Sequence, residues 1–143
     1  MKFPYRQIGS RRARPFIPIK IRNPKSGKEV PCYALVDSGA DCNLFAPVLG
    51  EILGLDVARG EERPISGVVA GERRVYFEHD LEIEVSGWRF RSKVGFMPGI
   101  ASNAGEGIVG QSGFFDHFRF VKFDKRKGFV ELGGFVDEAS AEE

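Results

Sequence analysis

Cysteine is nearly absent from this chain. Cys32 and Cys42 are the only two, and they do not form a C-x-x-C pair. That spacing speaks against a zinc site and leaves two free, partly buried thiols as the plain reading. A redox-sensitive pair is a sharper alternative. A cysteine protease is another, but it is short of bases: His79 and His117 are the only histidines, and nothing in the sequence pairs either with a thiol. An excess of one charge is missing too. The formal net charge is +1, which gives no global pull toward nucleic acid or a membrane surface. No apolar run is long enough to span a bilayer. The basic segment 1–14 lacks an apolar signal core. The expectation is a soluble, cytoplasmic protein without metal or other cofactor.

Helix signals are also scarce, whereas eighteen glycines and eight prolines mark many turns and short strands. Hydrophobic residues make up 42% of the 143 positions, with thirteen phenylalanines, enough for the core of one domain. Phe16 to Arg22 alternates apolar and polar residues and is predicted to be a strand. Asn23 to Gly27 is a turn. Glu29 to Val36 is a second strand whose end becomes wholly apolar. Pro47 to Leu55 has helical spacing, a proline at its start and Gly54 near its end. Val57 to Glu84 holds two strand-like segments around a glycine-rich bend. Ser86-Gly87 is a tight turn before a strand from Trp88 to Phe96. Pro98 to Gly107 is a loop. The segment from Gln111 to Phe118 spans about two helical turns. Phe118 to Phe123 and Gly128 to Leu132 form a hairpin. The fold class expected is all-β, with a closed or barrel-like sheet and one or two short helices. The domain is expected to run over 16–132, between a basic arm, 1–15, and a frayed acidic tail, 133–143.

Two glycine-rich motifs compete for attention. Gly105 to Gly110, "GEGIVG", fits G-x-G-x-x-G, but no buried strand precedes it and no long helix follows. As a phosphate loop it lacks the lysine, because Gln111 stands there. The second motif is Ala34 to Phe45, "ALVDSGADCNLF". A calcium loop fails, since Gly39 occupies a ligand position. A structural turn would use Asp37 as an Asx-turn residue and Gly39 for its positive φ. That reading leaves unexplained the apolar strand before the turn, Leu44-Phe45 after it, and the distant apolar–apolar–glycine segment Ile108-Val109-Gly110.

The second motif resembles the active-site loop of the retropepsins, the retroviral-type aspartic proteases. "PISGVVAGERRVYF" resembles their flap hairpin, "GIVGQSGFF" the segment beside the catalytic loop, and "VKFDKRKGFVEL" the hairpin that follows. Order and rough spacing agree over residues 16 to 132. The resemblance implies a closed barrel-like acid-protease fold with one catalytic loop per chain. It implies a homodimer in which Asp37 faces its own copy, and an extended peptide or protein substrate. Of seven aspartates, only Asp37 precedes Ser-Gly. In this reading Asp37 activates water, Ser38 hydrogen-bonds across the two-fold axis, and Gly39 and Ala40 shape the loop. Asp41 contacts substrate or an arginine, or is simply a surface acid. Gly67, Val68, Val69, Ala70 and Gly71 form the flap over the peptide. Ile108, Val109 and Gly110 are packing support. A non-catalytic peptide-binding or dimerisation module on the same fold is the alternative.

Overall fold

In the computed structural model, residues 1–9, 12–65, 74–100 and 107–136 are described. Alternation sets the strands. In β2 (Phe16–Arg22) and β3 (Glu29–Val36) every second side chain is buried, and the two pair antiparallel from Phe16↔Leu35 to Arg22↔Glu29. The turn between them is closed by Gly27 at φ +74°. Further strands are β4 (Leu44–Phe45), β5 (Glu61–Ile65), β6 (Arg74–Val85), β7 (Trp88–Phe96) and β8 (Gly107–Val109). The order is β2-β3-β8-β4-β7-β6, and β6 pairs back onto β2 through Lys20↔Glu84 to Arg22↔Glu82. Six strands therefore close into a barrel. The strand β5 extends it along the first half of β6. Ile17, Ile21, Leu81, Ile83, Val94 and Phe96 fill the interior.

The expected helix is shorter than its pattern. The helix α1 covers Pro47–Ile52, because Gly54 turns left-handed at φ +78°. Asn23 Nδ2 and Ser26 Oγ donate to the Leu53 carbonyl at 2.9 and 3.0 Å, so turn residues satisfy an orphan acceptor at the helix end. Among the described residues after Gly110 no α-helix forms. Gln111 to Phe114 makes turns and Phe115–His117 a single 3-10 turn, since Gly113 sits at φ +95° and interrupts the helical run.

A second sheet contains β1 (Lys2–Pro4), β10 (Phe129–Phe135) and β9 (Phe118–Asp124), in that order. It takes in residues from both segments that the sequence sets outside the domain. Phe3 lies opposite Val130 and is buried, so the basic arm begins as a strand of its own chain's sheet. Gly133, expected to fray, is paired with Phe120, whose ring occupies the space a side chain at 133 would need. Aromatic packing ties this sheet to the barrel. Phe90 stacks on His117 at 4.1 Å and meets Phe118 edge-on at 6.2 Å, while Phe135 stacks on Trp88 at 4.7 Å.

Candidate active site

Asp37 is the first residue beyond β3, and its position follows from the parallel pairing of β3 with β8. The pairs Ala34↔Gly107, Leu35↔Ile108 and Val36↔Val109 bury both apolar ends side by side. The Asp37 N–H then donates to the Val109 carbonyl at 3.0 Å, and there the chain turns. Asp37 Oδ1 accepts the Gly39 N–H at 2.9 Å, and the Ala40 N–H donates to the Asp37 carbonyl at 3.2 Å. The Asx turn is therefore present. It does not use a left-handed glycine, because Gly39 is not among the residues with positive φ. A methyl group at 39 would instead lie 3.3 Å from Asp37 Oδ1 and press on the carboxylate.

The loop is clamped from one side by the residues after β8. A Cβ at Gly110 would stand 2.5 Å from the Ala40 carbonyl oxygen and 2.7 Å from that of Cys42, so no other residue fits. The Gln111 N–H donates to the Ala40 carbonyl and the Ser112 N–H to the Asp41 carbonyl, both at 2.9 Å. Gln111 Nε2 reaches the Ser38 carbonyl at 2.9 Å. Beneath the loop lies Asn43, 1% exposed. Its Oδ1 accepts the Gly110 N–H at 3.1 Å, and its Nδ2 donates to Ser92 Oγ and the Lys93 carbonyl, each at 3.1 Å. Ser92 Oγ donates in turn to the Gly113 carbonyl at 2.5 Å. Asn43, Ser92 and Gln111 are the supports that sequence reasoning missed. Asn43 sits inside "DCNLF" as an ordinary polar residue, and only its burial reveals its role.

Ser38 is exposed, and its hydroxyl has no partner among the described residues. Ile108 and Val109 pack as expected. Gly67, Val68, Val69, Ala70 and Gly71 lie outside the described residues. Their flanking strands β5 and β6 are an antiparallel pair that ends at Ile65↔Arg74.

A cavity of about 450 Å³ opens beside the loop, walled by Ala40, Asp41, Cys42, Leu44, Ile65 and Tyr76 among others. Its volume is in the range of small-ligand sites. A larger cavity of about 610 Å³ shares only Glu78 with it and includes no residue of the Asp37 loop. Chemistry, not size, therefore picks the smaller one. Cys42 and Tyr76 both line it. Burial pushes the Cys42 thiol up, the neighbouring Tyr76 hydroxyl opposes that, and the negative charges of Asp41 and Glu78 add to the rise. Burial first, then the neighbouring Cys42 thiol, push the Tyr76 hydroxyl up to about 12. A buried thiol whose titration is pushed upward is a poor nucleophile. His79 has its Nε2 2.9 Å from the Val57 carbonyl oxygen, and His117 lies against Phe90. The cysteine-protease constellation does not form. Neither cysteine is in a disulfide; Cys32 lies in the core and Cys42 in the cavity wall. Among the described residues, no three His, Cys, Asp or Glu side chains gather closely enough to hold a metal ion.

A closed six-stranded barrel carries the Asp-Ser-Gly turn where two parallel strands end. A solved structure shares this shape. A retropepsin-like aspartic protease from Rickettsia conorii superposes with a TM-score of 0.65, at 18% identity, over 91% of this chain and 97% of that one. EIAV protease complexed with an inhibitor matches over 70% of this chain and 84% of that one, at 20% identity and a TM-score of 0.48. No protein-family model and no curated protein matches the sequence. The chain has a retropepsin-like fold.

Proposed function

We propose that this chain is an aspartic endopeptidase, active as a two-fold homodimer in which each copy contributes Asp37. The observation that carries the reading is the state of that carboxylate. It stands half-buried where two apolar strands end, and among the described residues only the Gly39 N–H bonds to it. No acid, base or cation of the described chain is joined to it as a catalytic partner. A second copy supplies the missing half, because two carboxylates that share one proton can hold a water between them.

Chemistry then follows from the pair. The ionised carboxylate takes a proton from the water as its oxygen attacks the peptide carbonyl. The protonated carboxyl hydrogen-bonds the carbonyl oxygen as charge develops. On collapse the C–N bond breaks and the leaving amine receives a proton from the pair. The substrate lies extended, as a strand added along the cleft.

The test is inhibition and pH dependence of peptide cleavage. A statine-type transition-state mimic is expected to inhibit tightly and a thiol blocker to have little effect. The rate should follow a bell with an acidic to near-neutral maximum, because the singly protonated pair is the active form. A rate that climbs steadily through pH 9, or that is lost only with the thiol blocker, would place the chemistry elsewhere.

Ser38 gives a second expectation. In the proposed dimer its exposed hydroxyl would hydrogen-bond across the axis. Ser38→Ala should raise the dimer dissociation constant about tenfold, since two symmetric bonds at about 0.5–1.5 kcal/mol each are lost. Sedimentation across a concentration series measures this. An unmoved constant removes the cross-axis role.

A further inference from the structure

The cavity beside the catalytic loop has walls of mixed character. Ala40, Leu44, Pro64 and Ile65 line it with apolar surface, and the Tyr76 ring adds an aromatic face. The charged residues of its described wall are Asp41 and Glu78 alone. Glu78 lies two residues beyond Tyr76 on β6, so both side chains fall on the same face.

Glu78 is an unusual surface acid. Its side chain is only 12% exposed. Among the described residues it pairs with Arg63, at 3.8 Å, and Arg63 is also held by Glu61 at 3.1 Å. Glu61 is the cross-strand partner of Glu78, so one guanidinium serves two facing carboxylates. Lys93, another neighbouring cation, is paired with Asp80 at 2.6 Å and lines the other cavity. The balance inside the smaller cavity is negative. The Cys42 thiol in its wall is pushed up by burial first, and Asp41 and Glu78 add to that rise.

An apolar channel with an aromatic face and an under-compensated carboxylate suits one kind of side chain. Lysine and arginine lay a long aliphatic stem along apolar walls and keep the cation at a polar end. A ring face along the way adds attraction for the cation. We propose that this cavity is the subsite that selects a lysine or arginine of the peptide substrate, with Glu78 as the residue that recognises the cation and Asp41 as the second carboxylate at its mouth. The proposal rests on the aspartic-peptidase reading above and names its substrate class: peptides with a basic residue near the scissile bond.

The experiment uses the full chain and a positional-scanning octapeptide library in which each position carries lysine or its uncharged analogue norleucine. At one position the ratio of kcat/KM for lysine over norleucine should be about ten or more. Glu78→Gln should bring that ratio close to one. Arg63→Gln, which frees Glu78 from its counter-ion, should raise it. Ratios do not depend on how much of a variant is folded. A ratio of one or below at every position overturns the proposal, as does a lysine preference that Glu78→Gln leaves in place. If norleucine peptides are cut by the wild type and not by Asp37→Asn, the peptidase reading stands even when the subsite fails. If no peptide is cut in an Asp37-dependent way, that reading falls. The same library titrated against Asp37→Asn then decides the subsite by affinity, with lysine over norleucine supporting it and equal affinity overturning it.

Discussion

Asp37→Asn is expected to reduce peptide cleavage by at least about 10⁴-fold and to leave the fold in place. General acid–base catalysis contributes about 10²–10⁴-fold. The substitution removes both the base and the acid, because in a homodimer each chain carries it. An amide can neither take the proton from water nor return one to the leaving amine. The fold should survive for a local reason. The new side chain retains an oxygen at the place of Oδ1, so the bond from the Gly39 N–H at 2.9 Å persists. The backbone bond from residue 37 to Val109 does not involve the side chain. Initial rates, a thermal melt and sedimentation on one preparation measure activity, fold and association. Appreciable turnover by a pure, folded variant would end the aspartic mechanism. Loss of the melt would show that Asp37 serves the loop's structure first.

Asn43→Leu should have the largest effect on stability, about 2–4 kcal/mol. Leucine branches at Cγ as asparagine does, so the change tests hydrogen bonding more than shape. It removes the acceptor for the Gly110 N–H and the donor to Ser92 Oγ and the Lys93 carbonyl. Each buried polar group left without a partner costs about 1–3 kcal/mol. Gly110 is pressed against the Ala40 and Cys42 carbonyls, so it has little room to find another acceptor. Activity should fall further than stability accounts for, since Asn43 anchors the segment that clamps the Asp37 loop. Denaturant unfolding gives the first quantity, and kcat/KM under conditions where the variant is fully folded gives the second. A variant as stable as the wild type would mean that water or a neighbouring group replaces the asparagine.

The strands were legible because alternation reports burial directly. Phe16–Arg22, Glu29–Val36 and Trp88–Phe96 appear with the boundaries their sequences predict. The register of a strand with one buried face leaves little freedom, since a slip of one residue turns every side chain over. The segment after Gly110 misled for the opposite reason. Its composition allows a helix, but the tight approach to the Asp37 loop and the left-handed Gly113 allow only turns and one 3-10 turn. The chain ends misled as well. Gly133 reads as a breaker until Phe120 is seen across it, and a three-residue strand such as Lys2–Pro4 is too short to show a period.

The sequence by itself determined the candidate nucleophile-activating residue and the class of fold. Asp37 is marked by its neighbours in the chain, and the alternation of strands is local. Only the tertiary structure decided what surrounds that residue. Asn43, Ser92 and Gln111 support the loop across separations of 49 to 73 positions, and Tyr76 and Glu78 come from β6 to wall the cavity. No local pattern encodes such contacts. A polar residue looks the same in sequence whether it faces water or a buried N–H, and which it faces is settled when the barrel closes over it.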